Sequence, residues 1–150
     1  MGFNTTSKLI QTLSATFKGI IWRVETDDKH PVVAIESRDI ANRNTCFSAF
    51  NYQTGECLFN EITVPESWFW SLDRVSNATI LLHSFVNEGS PEHKGIVAIN
   101  SAGDIIWQHY NKTLYDVANN GIITYDPKIQ PRILDPVSYT HLTLPTKRIV

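Results

Sequence analysis

His30, His83, His93 and His109, the adjacent carboxylates Asp27 and Asp28, the Arg38-Asp39 step and the thiols of Cys46 and Cys57 are the side chains of this chain best suited to chemistry. A zinc site legible in sequence gathers its ligands by local spacing, with two histidines one helical turn apart or two cysteines flanking a tight knuckle. Neither HExxH nor Cys-x-x-Cys occurs, so each histidine reads as an ordinary turn or strand residue and no metal site is expected. No G-x-S-x-G elbow presents an acyl nucleophile, and no glycine-rich loop is built to cradle phosphate. Asp27 and Asp28 fall between two apolar runs, where solvated turn chemistry explains them better than paired acid–base work. Arg38-Asp39 suits a structural salt bridge better than a charged pair at the rim of a site. Catalytic and cofactor-binding residues are therefore left unassigned, and no cofactor is expected.

The elements that would position such residues are short and β-rich. Candidate strands are 20–25, 32–36, 46–51, 57–63, 69–73, 79–85, 95–100, 104–110, 114–118 and 122–125, each apolar or alternating. Turn residues separate them, among them Asp27-Asp28, Thr54-Gly55, Ser76-Asn77, Ala102-Gly103 and Asn119-Asn120-Gly121. Asn120-Gly121 reads as a tight hairpin turn, since both residues tolerate positive φ. A short helix over Ser7–Ala15 is the one competing element. In the hairpin around Gly55, Cys57 falls opposite Asn51 or Tyr52 and leaves Cys46 about five residues further along. That separation of about 16 Å exceeds the ~7 Å that a disulfide tolerates, so two buried free thiols are expected.

Composition bounds the rest. The 150 residues are 42% hydrophobic and 19% charged, which suits a globular domain. The formal charge of −2 becomes more negative without Lys147 and Arg148, and no basic cluster offers a footprint for nucleic acid or anionic lipid. No apolar run approaches the roughly 20 residues that span a bilayer, and no signal peptide is evident, so a cytoplasmic location is expected. The expected partner is a protein or small ligand, with no nucleic acid and no membrane.

The strands repeat. Phe47-Ser-Ala-Phe-Asn51 followed by Gly55-Glu-Cys-Leu-Phe59 corresponds to Ile96-Val-Ala-Ile-Asn100 followed by Gly103-Asp-Ile-Ile-Trp107. Leu72–Leu82 aligns without a gap to Leu114–Thr124. Four-stranded units recurring every 40 to 50 residues or so are the sequence mark of propeller blades. In such units the ring of Phe59 or Trp107 supplies apolar surface for packing on a neighbour. The Trp68-Phe69-Trp70 run fits the same role, filling space between blades, better than it fits a recognition surface.

Two family resemblances follow from these residues. Ala49-x-Asn51-x-x-Thr54-Gly55-x-x-x-Phe59 resembles the tryptophan-docking repeat of quinoprotein-type propellers, with Asn51 in place of the acid and Phe59 in place of the Trp. The adjacent cysteines that quinoprotein dehydrogenases often carry are absent. Gly19-Ile-Ile-Trp-Arg23, Glu36-Ser-Arg-Asp39, Lys94-Gly-Ile-Val-Ala98, Thr113-Leu-Tyr-Asp116 and Ile129-Gln-Pro-Arg132 are similar to an uncharacterised bacterial family, domain of unknown function 4905. That resemblance implies a longer propeller-like protein and supplies no chemistry.

Val137–Thr146 resembles the in-frame translation of a transposase sequencing adapter. The expected division is therefore 1–136, an incomplete all-β domain of antiparallel four-stranded β-propeller-like blades, and 137–150, a non-native tail. About two blades and the start of a third are expected. The function expected of such a surface is a non-enzymatic binding or interaction scaffold. The alternative is a fragment of a propeller enzyme, a quinoprotein-like oxidoreductase or a hydrolase, with its active site at a channel. Channel-facing carboxylates or histidines recurring at one place in successive blades would favour the enzyme.

Overall fold

Alternating apolar residues and frequent turns translate into strands throughout the computed structural model, which describes residues 7–85, 93–118, 121–126, 129–134 and 141–143. The strands are β1 (Ile20–Thr26), β2 (Val32–Asp39), β3 (Asn44–Asn51), β4 (Cys57–Ile62), β5 (Trp70–Ser76), β6 (Thr79–Phe85), β7 (His93–Ile99), β8 (Ile105–His109), β9 (Thr113–Ala118), β10 (Gly121–Asp126), β11 (Ile129–Leu134) and β12 (His141–Thr143). They form three four-stranded antiparallel sheets, each a meander in chain order: β1–β4, β5–β8 and β9–β12. The chain is all-β. Every one of the ten expected strands is present, with ends moved by a few residues, and no helix occupies residues 7–15.

Two strands were not expected. β11 carries Pro131, which has no N–H for the ladder and disguises the segment as a non-strand. The pairing of β10 with β11 is irregular at that point, with a shift between Thr124 and Asp126. β12 falls inside the 137–150 stretch and pairs with β11 from Arg132↔Thr143 to Leu134↔His141, so the third sheet has four strands rather than only its opening. The expected Asn120-Gly121 turn is also shifted. Gly121 already belongs to β10, opposite Ala118, which leaves 119–120 as the connection, outside the described residues.

The repeat read from sequence is a repeat of register. Ala49 pairs with Phe59 in the first sheet and Ala98 pairs with Trp107 in the second. Asn51 Oδ1 accepts from the backbone N–H groups of Gln53 and Thr54, and Asn100 Oδ1 accepts from those of Ala102 and Asp104, so each Asn closes the turn that follows it. Gly103, at φ +88°, sits so close to Phe59 that an added Cβ would lie 3.0 Å from the Phe59 Cβ. The ring of one sheet thus packs on the glycine turn of the next, a place closed to any larger residue.

The main core lies between the first two sheets. Val32, Ala34, Phe47 and Ala49 face Leu72, Ile80, Leu82 and Ile99, all buried. Burying a side chain of this kind contributes about 1.5–3 kcal/mol. A second cluster, with Leu81, Ile96, Ala98 and Trp107 against Leu114 and Ile122, joins the second sheet to the third. Trp70 is buried in the first of these cores, 6.1 Å from the Tyr110 ring, as expected of a ring filling space between sheets.

A buried ion pair pins the first interface. Glu36 is fully buried and takes the Arg38 guanidinium at 2.5 Å, the Ser71 hydroxyl at 2.7 Å and the Leu72 N–H at 2.7 Å. Arg38 also donates to the carbonyls of Trp68 and Trp70, and its guanidinium lies 5.2 Å from the rings of both Trp22 and Trp68. Arg38 is therefore structural, as expected, but its carboxylate is Glu36. Asp39 instead holds the turn at Asn42. Both cysteines are free, yet Cys46 is half-buried and Cys57 exposed, because Cys57 opens the edge strand β4 just after the Gly55 turn.

Candidate functional site

The first strand of each sheet contains one extra residue at the same place. Trp22 lies between the paired residues Ile21 and Arg23, Asp73 between Leu72 and Arg74, and Tyr115 between Leu114 and Asp116. A bulge of this kind sets two successive residues against one partner and re-aims their side chains. Arg23, Arg74 and Asp116 become equivalent positions on neighbouring strands. They are linked by Arg23 Nη2 to the Asp73 carbonyl at 3.4 Å and Arg74 Nη1 to Asp116 Oδ1 at 3.1 Å.

Together they line a cleft of about 580 Å³ with Glu25, Asp28, Asp73, His83 and His93. Each guanidinium is already paired: Arg23 with Glu25 at 2.8 Å, and Arg74 with Asp73 at 2.6 Å as well as with Asp116. The cleft is polar, and its charges are largely matched in pairs. Its equivalent positions are not of one chemical type, since Trp22, Asp73 and Tyr115 share one and Arg23, Arg74 and Asp116 the next.

Asp73, His83 and His93 form the densest chemistry in the cleft. One ligand atom from each lies within 4.8 Å of the others. The hairpin turn at Asn77-Ala78 folds β6 back so that Ser71 pairs with His83, and β7 then sets His93 opposite Phe85. Asp73 Oδ2 lies 2.8 Å from His83 Nδ1, while Oδ1 accepts from Arg74 Nε at 2.6 Å. The imidazoles of His83 and His93 stack, with centroids 3.7 Å apart and 11° between planes, and Phe85 meets both edge-on. Burial works against ionisation of Asp73, but the hydrogen bonds from His83 and Arg74 and their positive charge outweigh it and hold the carboxyl below its usual range. Burial, followed by the neighbouring His83, lowers His93 and favours its neutral form.

The four histidines outside the 137–150 stretch thus divide. His83 and His93 meet in the cleft, while His30 is exposed near Asp27 and His109 lies beside Trp107 on β8. Local spacing conceals the pair, because His83 and His93 are brought together only by strand register. The gap-free match of Leu72–Leu82 to Leu114–Thr124 did contain the signal for the bulge. It sets Asp73-Arg74 against Tyr115-Asp116, the two positions that the bulge re-aims.

Asp27 departs from its expected role as a solvated turn residue. It is 6% exposed, and Oδ2 accepts the Ala78 N–H at 2.5 Å while Oδ1 accepts that of Lys29 at 2.9 Å. Ala78 and Asn77 adopt left-handed φ values of 59° and 50°, so Asp27 clamps the strained turn of the next sheet. Burial raises the Asp27 carboxyl, but the backbone donors of Ala78, Lys29 and His30 more than offset this and leave it lowered. Asp28 stays exposed.

Fold and cleft define a class: an all-β chain of stacked, four-stranded antiparallel meanders with a polar cleft along the first strand of each. Residues 26–107 match the sequence model of a domain of unknown function, DUF4905, and the chain belongs to that family. No curated protein matches the chain, and no solved structure does. Among the described residues, no helix is long and apolar enough to cross a membrane.

Proposed function

We propose that the three sheets are consecutive blades of a β-propeller-like protein and that the protein is a non-enzymatic scaffold, binding a small polar ligand in the cleft along its first strands. The observation that carries this is the bulge repeated at one place in β1, β5 and β9. The re-aimed residues Arg23, Asp73, Arg74 and Asp116 link neighbouring sheets and at the same time line the cleft, so the bulge gives each sheet a polar edge at one place. A rigid β framework presenting varied polar side chains at equivalent positions is suited to recognition. Ring closure, on this reading, is completed by further blades of the same kind, with residues 137–150 contributing nothing to the ligand site.

A carboxylate or histidine recurring at one position would favour the enzyme, and the bulge positions hold Trp22, Asp73 and Tyr115. This supports the scaffold. The test is hydrogen exchange across β1, β5 and β9 in the presence of panels of small carboxylates, phosphates and sugars, with each compound assayed afterwards. Protection of those strands by a compound recovered unchanged supports the scaffold. Conversion of a compound, abolished by Asp73→Asn, would overturn it in favour of the enzyme.

A further inference from the structure

We propose that Asp73, His83 and His93 form a site for a divalent transition-metal ion of the zinc type, with its remaining coordination position open to the cleft. The proposal deepens the reading of the cleft as a binding site by naming what its floor holds, and it rests on that reading for the role of the open position.

The donor set is the first argument. One carboxylate and two imidazoles are the ligand types that zinc, cobalt and iron(II) select, and three protein ligands with an open position are the usual form of a metal site that also engages a second molecule. The second argument is rigidity. The three ligands come from β5, β6 and β7, adjacent strands of one sheet, and not from three loops. Their ligand atoms already lie within 4.8 Å of one another, so a turn of the His93 ring is the main movement needed to reach the separations that metal–ligand bonds of about 2.0–2.2 Å require.

Asp73 is held for this task. Arg74 fixes Oδ1 at 2.6 Å and leaves Oδ2 facing His83 Nδ1 at 2.8 Å. An ion entering there takes the Nδ1 lone pair in place of this hydrogen bond, and any proton held between the two atoms leaves to solvent.

Two features oppose the ion, and both are answered by the geometry. The stacked rings run side by side, so their lone pairs do not converge until His93 turns toward the cleft. His93 is half-buried and lines that cleft, whereas His83 is locked at 3% exposure. Arg23 and Arg74 bring positive charge, but their pairing with Glu25, Asp73 and Asp116 offsets it.

The test is titration of the whole chain with Co²⁺, read by visible d–d absorption, followed by displacement with Zn²⁺. The expected result is saturable uptake near one ion per chain, weakening as pH falls and the histidines protonate. Affinity should drop in His93→Gln by more than the ~10–100-fold that loss of an outer-shell partner costs, and similarly in Asp73→Asn. His30→Ala, outside the cluster, should bind like the parent. His93→Gln alters a half-buried side chain, and circular dichroism checks that it folds. Equal uptake by the parent and His93→Gln, or no uptake by the parent, would overturn the proposal. Because the readout is the ion's own spectrum, that failure is separable from failure of the scaffold reading, which the compound panel decides.

Discussion

The first sheet has two apolar faces, and they are finished in different ways. Toward the second sheet it buries Val32, Ala34, Phe47 and Ala49 beneath a full four-stranded neighbour. On the opposite face Val33, Ile35 and Phe50 are covered, among the described residues, by Leu13, Ala15 and Phe17, alternate residues of the segment that precedes β1. Phe17 meets Phe50 edge-on at 6.3 Å, and Gly55 lies so close to Thr12 that an added Cβ would fall 2.5 Å from its carbonyl oxygen. Gly55 thereby receives residue 12 in much the way that Gly103 receives Phe59. The segment stands where the outer strand of a preceding sheet would stand, but it covers only part of the face. The equivalent residues Val24 and Val75 measure the shortfall, since Val24 is 50% exposed and Val75 is 7% exposed. What the contrast teaches is that a neighbouring sheet buries the strand beneath it, and that one strand-like segment does so less completely.

Breaking the fully covered face should cost most. Glu36→Gln leaves the Arg38 guanidinium buried without a counter-charge, and a loss of about 3–5 kcal/mol is expected in chemical denaturation. Phe59→Ala should also cost about 3–5 kcal/mol by emptying the contact with Gly103. Phe17→Ala, its counterpart on the thinly covered face, should cost roughly 1–2 kcal/mol, since the ring is only half-buried. Equal losses for the two phenylalanines would erase the distinction between the faces.

Acidity sharpens the same comparison. Asp27 and Asp73 both have depressed folded values, so the unfolded chain takes up their protons first. Their contribution is complete above the ordinary value of 3.8 and is lost as pH falls from there through the lower folded values. His93 is also depressed, so stability declines already as pH drops below 6.5, where the unfolded histidine protonates before the folded one. Thermal melts across this range should show two stages, with His93→Gln removing the upper one. The smallest effect on stability is expected from Val24→Asp, within about 0.5 kcal/mol. Its consequence is colloidal: the parent should associate with rising concentration in light scattering, through Ile21 and Val24 on the thinly covered face, and the variant should do so less.

Much of this architecture was legible before any coordinate. The ten strands were readable because their apolar residues alternate and glycine or asparagine turns separate them. The Ala–aromatic pairing was readable because both copies keep the same order of residue types. β11 was not, since Pro131 is a strand-breaking residue whose cost is absorbed by an irregular ladder. Asp27 escaped for a different reason, because what buries it is the turn of another sheet, and local composition carries no trace of that. The Asp73–His83–His93 cluster required the bulge. Without the extra residue in β5, Arg74 would not share a side with Asp73, and the register that assembles the site leaves only the weak internal match to Leu114–Thr124 as its mark.

The bulge also separates two kinds of sequence freedom. Positions 22–23, 73–74 and 115–116 come in adjacent pairs opposite a single partner residue, next to valines at 24, 75 and 117. Of these, Arg23, Asp73, Arg74 and Asp116 line the cleft, so mutation there redraws it, while the apolar positions around them answer to packing. The framework is therefore evolvable: the polar lining of the cleft can be exchanged one pair at a time, with the stacked sheets left in place.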